Sequence, residues 1–258
     1  MKYLMGSMFD LKGHVSVVTG GSDGIGLGLA RGLAKCGAKI AIWARRENKI
    51  SQAAEKLRSL GCVEVLEICC DVSKEEQVRV AMKKTVTHFG QINSVFANAG
   101  IAKTKSLTES TIKDYRIQNA VNFEGMFFCF REAAKYMIDQ GSGGKLIATS
   151  STAAVLGSPN LVSYSASKGA MTAAVRALAV ELGPHNIQVN AVLPGVFKTA
   201  MTSKVEGLTE YFLPKIPSTF IGEPKHIEGI AVFLASRESD YVTGACIPID
   251  GGLSIIWE

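Results

Sequence analysis

A tyrosine and a lysine four positions apart are the first residues in this chain that point to chemistry. Tyr164 and Lys168 begin a long alanine-rich stretch, and their i, i+4 spacing places both side chains on one face of a helix. Proton transfer at a carbonyl or alcohol oxygen needs a group that titrates near neutral pH, whereas a tyrosine ordinarily has a pKa of about 10. A nearby ammonium stabilises the phenolate, so we expect Lys168 to lower the pKa of Tyr164. An isolated pair of this kind is more often an exposed helix face.

Two other features of the sequence favour a chemical role for Tyr164 and Lys168. Ser151 closes a predicted strand thirteen residues before Tyr164. Near the N-terminus, the glycine-rich turn Thr19-Gly-Gly-Ser-Asp-Gly-Ile-Gly26 lies between the first predicted strand and the first predicted helix. A helix N-terminus offers free N–H groups and a positive dipole end, so phosphate binds there. We expect Gly20 to let the chain turn, Gly24 to leave space for phosphate, and Gly26 to allow close packing. The alternative is a tight turn with no ligand.

The residues at the end of the second predicted strand favour a phosphorylated dinucleotide. An acid that holds the ribose 2′-hydroxyl of NAD is expected about 20 residues beyond the glycine turn. This chain has Ala44 there, followed by Arg45 and Arg46. A guanidinium binds a 2′-phosphate through two hydrogen bonds, so NADP(H) is favoured over NAD(H), with Arg45 the first choice by position. Two observations oppose this: the pair is followed by Glu47, and Asp23 adds a negative charge.

The elements that must position these residues alternate along the chain. Several predicted strands are apolar on both faces, and Ser73 ahead of Glu76 is typical of a helix cap. The predicted strands are 14–19, 39–43, 63–68, 94–97, 145–149, 187–193 and 246–249, and the predicted helices are 25–36, 47–60, 74–89, 112–139, 162–183 and 224–235. This alternation predicts an α/β fold with a single doubly wound, Rossmann-type parallel sheet and helices on both faces.

Composition excludes several other classes of protein. The 258 residues are 47% hydrophobic and 20% charged with a net charge of +5, which is typical of a globule and argues against disorder, fibres or nucleic-acid binding. We expect one domain over 1–258, with 1–8 a flexible or non-native N-terminus and 196–222 an excursion over the site. No long apolar run indicates a membrane span, and the six cysteines and four histidines lack metal-ligand spacing. A cytoplasmic protein without metal is predicted.

The order of the motifs resembles that of the short-chain dehydrogenase/reductase family over residues 9–253. The motifs that carry the resemblance are Thr19–Gly26, Asp71-Val72, Asn98-Ala99-Gly100, Asn122, Ser151, Tyr164 with Lys168, Pro194-Gly195 with Thr199, and the closing Asp250-Gly251-Gly252. The cofactor-binding residues predicted on this basis are Gly20, Ser22, Asp23, Gly24, Ile25, Gly26, Arg45, Arg46, Asp71, Val72, Asn98, Ala99, Gly100, Tyr164, Lys168, Pro194, Gly195, Val196 and Thr199. The resemblance implies that Asp71 binds the adenine amino group, Thr199 the carboxamide, and Lys168 also the nicotinamide ribose.

The resemblance also implies a mechanism, with Asn122, Ser151, Tyr164 and Lys168 as its catalytic residues. In the NADPH-dependent reduction of a ketone or aldehyde, Tyr164 protonates the forming alkoxide, Ser151 orients that oxygen, and Asn122 links Lys168 to solvent through water. For Asn122 the alternative is a residue that satisfies a kinked backbone. For the protein the alternatives are an NAD-dependent alcohol or sugar dehydrogenase acting oxidatively and a non-catalytic nucleotide sensor.

The expected substrate is a small carbonyl or alcohol bound near Tyr164. The candidate substrate residues are Ser151, Ala153, Leu156, Phe197, Met201 and Phe212. Most are apolar, which favours a hydrophobic or mixed carbonyl. The predicted helices 112–139 and 162–183 are rich in small, apolar residues. These residues are interpreted either as part of the core or as the interface of a homo-oligomer, a tetramer or dimer.

Overall fold

The computed structural model describes residues 8–204 and 207–256, in which seven strands form one parallel sheet. The strands are β1 (Val15–Thr19), β2 (Lys39–Ala44), β3 (Val65–Cys69), β4 (Ser94–Ala97), β5 (Gly144–Thr149), β6 (Ile187–Pro194) and β7 (Cys246–Ile249). Their order is β3-β2-β1-β4-β5-β6-β7. The predicted doubly wound sheet is therefore confirmed. The order reverses between β1 and β4, and ligands of such sheets bind in the crevice at the carboxyl ends of the strands at that point.

Helices cover both faces of the sheet. They are α1 (Gly24–Lys35), α2 (Glu47–Ser59), α3 (Glu75–Phe89), α4 (Ile112–Asn119), α5 (Gly125–Gln140), α6 (Val162–Leu182), α7 (Leu208–Phe212) and α8 (Glu228–Ala235). Alternate strand residues supply two cores: Ile40 and Ile42 pack in the core that contains α1, α2 and α8, whereas Ala41 and Trp43 pack in the core that contains α3, α5 and α6. Strands buried on both faces explain why their sequences are apolar throughout.

Three predicted details of the helices differ from the structure. The predicted helix 112–139 is interrupted by a π-helical turn, Ala120–Glu124. The predicted helix 224–235 begins with a 3₁₀ turn, Pro224–Ile227, and becomes α-helical only at Glu228. Ser73 does not cap α3, which begins after Lys74, because the Ser73 hydroxyl donates to the Asp71 carboxylate at 2.8 Å.

The excursion after β6 is anchored to the segment that follows β7. Ile216, Ile221 and Leu253 form a small buried cluster. The Ser218 main-chain N–H and hydroxyl both donate to the Gly251 carbonyl, each at 3.0 Å. The excursion is therefore fixed in place by contacts with the segment after β7. Of the segments treated in the sequence prediction, residues 1–7 and 205–206 lie outside the described residues.

Within 8–204 and 207–256, no helix is both long and apolar enough to cross a membrane. No group of three or more His, Cys, Asp or Glu side chains in those ranges is arranged to hold a metal ion.

Candidate active site

A cavity of about 620 Å³ opens at the carboxyl ends of the strands, beside the point where strand order reverses. Its wall includes most of the residues singled out in the sequence: Gly20, Ser22, Asp23, Gly24, Ile25, Gly26, Arg45, Arg46, Asp71, Val72, Asn98, Ala99, Gly100, Ser151, Tyr164, Lys168, Pro194, Gly195, Phe197, Thr199 and Met201. The glycine turn, the arginines and the Ser-Tyr-Lys set, which are distant in sequence, thus share one site.

The glycine turn has the geometry that only glycine supports easily. Gly20 has a φ of +64° and Gly24 a φ of +51°, in the left-handed region where a Cβ atom is unfavourable. A Cβ atom on Gly26 would lie 2.2 Å from the Gly20 carbonyl oxygen. Any side chain at position 26 would therefore push α1 away from the turn, whose N-terminal N–H groups face a ligand in this fold.

Two side chains of opposite charge meet beside this turn. Asp23 caps α1 by accepting a hydrogen bond from the Gly24 N–H at 2.8 Å. Its other carboxylate oxygen lies 3.9 Å from a guanidinium nitrogen of Arg46. Arg45 is exposed and makes no ion pair with any residue that the structure describes. The arginine end of the cavity therefore contains one unpaired guanidinium and one weakly paired guanidinium.

The junction of β1 and β4 forms the middle of the cavity wall. The Asn98 side-chain amide donates to the Thr19 carbonyl at 2.9 Å. The Thr19 hydroxyl accepts the main-chain N–H groups of Asn98 and Ala99, each at 3.0 Å. Asn98 thus fixes the ends of the two strands where their order reverses.

Asp71 stands at the end of β3 and is held by the turn that leads into α3. One carboxylate oxygen accepts the Ser73 N–H at 3.0 Å and the Ser73 hydroxyl at 2.8 Å. The next residue, Val72, packs so closely on α5 that a Cβ atom on Gly125 would lie 2.8 Å from its side chain. Both predicted residues are on the cavity wall in fixed positions.

At the opposite end of the cavity, Lys168 is buried, and its Nζ donates to the main-chain carbonyl of Thr149 at 2.7 Å. Burial lowers the pKa of the Lys168 ammonium from 10.5 to about 7. The Thr149 hydroxyl is also buried and has no hydrogen-bond partner among the described residues. Thr149 also lines the cavity, so this unpartnered hydroxyl belongs to a residue of the cavity wall.

Tyr164 and Ser151 complete this end. Burial raises the pKa of the Tyr164 phenol above 10.0, and a hydrogen bond with the Ser151 hydroxyl acts in the opposite direction. Ser151 also accepts the Ala153 N–H at 3.1 Å, which orients its hydroxyl. In this structure the phenol pKa is therefore shifted upwards, which differs from the lowering expected from Lys168 alone, because burial dominates.

Asn122 lies in the π-helical turn and is fully buried. Its side-chain oxygen accepts the Ile101 N–H at 2.8 Å, and its amide donates to the Ile101 carbonyl and to the Ser167 hydroxyl, both at 3.0 Å. A Cβ atom on Gly100 would stand 3.3 Å from the Asn122 oxygen and 3.5 Å from Lys168 Nζ. The missing side chain at Gly100 therefore leaves space between these two polar groups.

The candidate substrate residues divide into two sets. Ser151, Phe197 and Met201 line the cavity. Leu156 and Phe212, together with the predicted cofactor residue Val196, pack instead on the cluster of Ile216, Ile221 and Leu253. Ala153 contacts the site through its N–H bond to Ser151.

Other residues on the cavity wall were not singled out from the sequence: Trp43, Cys70, Ile101, Ala102, Val121, Thr149, Ser150, Ala200 and Thr202. Cys70, Ile101, Val121, Ser150 and Ala200 each adjoin a predicted residue in the sequence, which was the available signal. Thr202 had none: its hydroxyl donates to the Phe197 carbonyl at 2.6 Å and accepts the Thr199 N–H at 2.9 Å.

Comparisons with known proteins agree with this architecture. The chain matches the family model described as enoyl-(acyl carrier protein) reductase over residues 20–254. It is 37% identical over 247 residues to the NADP-dependent (R)-specific alcohol dehydrogenase of Lentilactobacillus kefiri, covering 94% of this chain and 97% of that one. It is 34% identical over 254 residues to the 5-keto-D-gluconate 5-reductase of Escherichia coli (strain K12), covering 97% and 99%.

Solved structures give the same result. A gluconate 5-dehydrogenase from Burkholderia cenocepacia J2315, in complex with NADP and tartrate, is 32% identical with a TM-score of 0.92 and coverage of 98% of this chain and 99% of that one. A short-chain type dehydrogenase/reductase from Mycobacterium marinum is 33% identical with a TM-score of 0.94, covering 96% and 98%. The doubly wound sheet and the site at its carboxyl edge are those of an oxidoreductase. The chain belongs to the short-chain dehydrogenase/reductase family.

Proposed function

We propose that this protein is an NADP(H)-preferring enzyme that reduces a ketone or aldehyde to an alcohol, reversibly, by the tyrosine-dependent chemistry of its family. The observation that carries the proposal is that Tyr164, Ser151 and Lys168 stand in the same cavity as Arg45 and Arg46. One end has groups for proton transfer and the other has cations for a phosphate. The names of two relatives, one NADP-dependent and one solved with NADP, support the choice of cofactor.

The cavity fits a dinucleotide cofactor. Its volume of about 620 Å³ lies within the range of roughly 300–1,000 Å³ usual for ligand sites. The Thr149 hydroxyl is a buried polar group without a partner among the described residues, and Gly24 at the start of α1 has a left-handed backbone on which a side chain would also crowd Thr199. Arg45 and Arg46 would hold the 2′-phosphate, the turn from Gly20 to Gly26 the diphosphate, and Asp71 the adenine amino group. When bound, NADPH supplies the hydride.

The remaining steps belong to residues of this chain. A tyrosine that acts as an acid must carry its proton, and the raised pKa of Tyr164 keeps the phenol protonated at neutral pH. Ser151 orients the substrate oxygen beside this phenol. Lys168, with a pKa near 7, gains or loses a proton readily at neutral pH, and a water beside Gly100 would link it to Asn122 and to solvent. Together these groups form a path that returns a proton to Tyr164.

The walls of the cavity favour a hydrophobic or mixed substrate. Phe197, Ala200 and Met201 place apolar side chains on the cavity wall. A phosphorylated or strongly charged substrate would leave its charge against this surface without compensation. The second candidate is oxidation of an alcohol or sugar with NAD. The Asp23 carboxylate beside Arg46 supports NAD as its cofactor, and the relatives named for gluconates support a sugar substrate.

The surface of α5 and α6 supports a homo-oligomer. Phe127 on α5 is 42% exposed and Val180 on α6 is 82% exposed, so both helices carry large apolar side chains outside the core. Burial against a second copy would remove this surface from water. We propose a dimer or tetramer built on these helices. The free cysteines of the described residues fit the reducing cytoplasm that we propose as its location.

A substrate panel with both cofactors tests the function. Purified protein is assayed with NADPH and with NADH against aromatic ketones, aliphatic ketones, aldehydes and keto sugar acids, and in reverse with the corresponding alcohols. The proposal predicts the highest kcat/KM for NADPH with an uncharged, largely apolar carbonyl. Turnover restricted to NAD⁺ and a polyol would establish the second candidate instead. Loss of turnover in Lys168→Met, with Lys84→Met as an exposed control, assigns the activity to this site.

A further inference from the structure

The excursion after β6 begins with a turn that one threonine side chain holds together. Thr202 donates its hydroxyl proton to the Phe197 carbonyl at 2.6 Å. The same hydroxyl oxygen accepts the main-chain N–H of Thr199 at 2.9 Å and lies 3.2 Å from the Thr199 hydroxyl. All three residues line the cavity. The Thr202 side chain therefore ties residues 197–199 into one turn on the cavity wall.

The hydrogen bonds of Thr202 fix the direction of the contact between the two hydroxyls. A threonine hydroxyl has one proton to donate and two lone pairs that accept. The Thr202 proton is used by a main-chain carbonyl, that of Phe197 at 2.6 Å, and the next acceptor within reach is the Thr199 carbonyl at 3.1 Å. The contact between the hydroxyls therefore needs the proton of Thr199. Because the Thr199 hydroxyl donates to Thr202, its own lone pairs are left to accept.

The rest of the Thr199 side chain is also held in one orientation. A Cβ atom on Gly24 would lie 3.2 Å from the Thr199 methyl carbon Cγ2, so this methyl group faces the glycine turn. Among the described residues, the Thr199 hydroxyl has one donor, the Thr202 main-chain N–H, at a long distance of 3.4 Å. Thr199 therefore has a fixed methyl group, a fixed hydroxyl proton and at least one lone pair that a ligand could use.

We propose that Thr202 is a positioning residue for the cofactor, which turns the Thr199 hydroxyl so that it accepts a hydrogen bond from the amino group of the nicotinamide carboxamide. This inference rests on the proposed function, because it takes a nicotinamide cofactor as the ligand and Thr199 as its carboxamide contact. A hydroxyl that rotates freely would bind either the amino group or the oxygen of the carboxamide. A hydroxyl whose proton is already used binds the amino group, so Thr202 acts on the carboxamide through Thr199.

Substitution separates the hydroxyl of Thr202 from its shape. Thr202→Val keeps the branched side chain and removes the hydroxyl, whereas Thr202→Ser keeps the hydroxyl. Thr199→Val removes the proposed contact with the carboxamide itself. The matched control is Thr209→Val, in α7 of the same excursion, because Thr209 is exposed and lies outside the cavity wall.

The probe is a cofactor that lacks the amino group. In 3-acetylpyridine adenine dinucleotide phosphate a methyl group replaces that amino group, so the carbonyl oxygen remains and the donor to Thr199 is lost. Calorimetric titration gives the Kd of this analogue and the Kd of NADP⁺ without turnover. The measured quantity is the Kd of the analogue divided by the Kd of NADP⁺. A general loosening of the excursion weakens both ligands alike and leaves this ratio unchanged.

We expect the ratio to be about five- to tenfold higher in wild type than in Thr199→Val, which is the scale of one hydrogen bond. Thr202→Val should lower the ratio to within about twofold of that in Thr199→Val. Thr202→Ser and Thr209→Val should stay within about twofold of wild type. The double variant of Thr199→Val with Thr202→Val should have the ratio of Thr199→Val alone, because Thr202 acts through Thr199.

Four results would overturn the inference: a wild-type ratio in Thr202→Val, an equal loss in Thr202→Ser, a further fall in the double variant, or a wild-type ratio no higher than that of Thr199→Val. A failure of the proposed function has a different signature. If wild type binds NADP⁺ but reduces no carbonyl, the proposed activity fails and the ratio still tests Thr202. If wild type prefers NAD⁺, the proposed preference fails, and the ratio is measured with NAD⁺ and its acetylpyridine analogue. If wild type binds neither cofactor, both proposals fall.

Discussion

The Lys168 ammonium lies 5.7 Å from the centroid of the Tyr164 ring, one helical turn away on the same face of α6. The main-chain carbonyl of Thr149 fixes that ammonium through a 2.7 Å hydrogen bond. Burial shifts the two groups in opposite directions: the pKa of Tyr164 is raised and that of Lys168 is lowered to about 7. At neutral pH the Tyr164 phenol is therefore protonated, and the Lys168 amine beside it readily gains or loses a proton. Both properties suit the reduction of a carbonyl.

The pH dependence of the two reaction directions should differ. Reduction needs the protonated phenol, so its kcat/KM should be high in mildly acidic and neutral solution and fall in alkaline solution. Oxidation needs the phenolate, so its kcat/KM should rise with pH. The measurement is kcat/KM against pH in each direction with one substrate pair. Parallel profiles in the two directions would count against Tyr164 as the acid.

Lys168 should make stability depend on pH. Between about 7 and 10.5 the unfolded chain binds a proton at this lysine and the folded chain does not, so this contribution to stability rises with pH and is lost as pH falls towards 7. The variant Lys168→Met lacks this pH-dependent contribution, because methionine does not titrate. The melting temperature of the variant minus that of wild type should therefore decrease between pH 7 and 10. A constant difference over that range would contradict the lowered pKa. Lys84→Met is the exposed control.

Reversing the charge of Arg45 should change cofactor preference. Arg45→Asp replaces the proposed partner of the 2′-phosphate with a carboxylate, so kcat/KM should fall for NADPH and hold or rise for NADH. A change of about tenfold or more in the ratio corresponds to one charge-assisted phosphate contact. Arg237→Asp, an exposed charge reversal outside the cavity wall, should leave the ratio unchanged. If Arg45→Asp also leaves it unchanged, Arg45 does not bind the 2′-phosphate.

Asn122 should contribute to stability as well as to turnover. Asn122→Ala leaves the N–H and carbonyl of half-buried Ile101 without their partner, and a polar group left unpaired inside a protein costs about 1–3 kcal/mol. We expect the free energy of unfolding, measured with denaturant, to fall by at least about 2 kcal/mol. Asn119→Ala is the matched control, because the side chain of half-buried Asn119 bonds, among the described residues, only to the Tyr115 carbonyl in its own helix. Equal stabilities of the two variants would refute the structural role.

The sequence alone was sufficient to predict the bounds of the elements that have a clear hydrophobic pattern. Strand 94–97 and strand 246–249 have the predicted bounds, because short apolar runs between turn residues have little freedom. β3 begins two residues later than predicted, at Val65, since Val63 is apolar yet 80% exposed. Hydropathy does not reveal where pairing with β2 starts.

The parts of the site that sequence missed depend on long-range packing. In the π-helical turn, Asn122 bonds to Ile101 and Ser167, which are 21 and 45 residues away in the sequence. Leu156 and Phe212 were predicted near the substrate from their places in the chain, and the structure shows that both pack on the cluster that contains Leu253. The order of the motifs was enough to predict most of the residues of the cavity wall. The conformation of the loops could be seen only in the folded structure.

Replacement of the proposed acid is the most direct test of the central claim. Tyr164→Phe removes one hydroxyl and keeps the ring, so NADPH should bind with a Kd within about threefold of wild type. Because general acid catalysis by a positioned side chain contributes about 10²–10⁴-fold, kcat for carbonyl reduction should fall by at least about a hundredfold. Tyr136→Phe, on α5, should retain both properties. Normal turnover by Tyr164→Phe, with NADPH binding intact, would contradict the account.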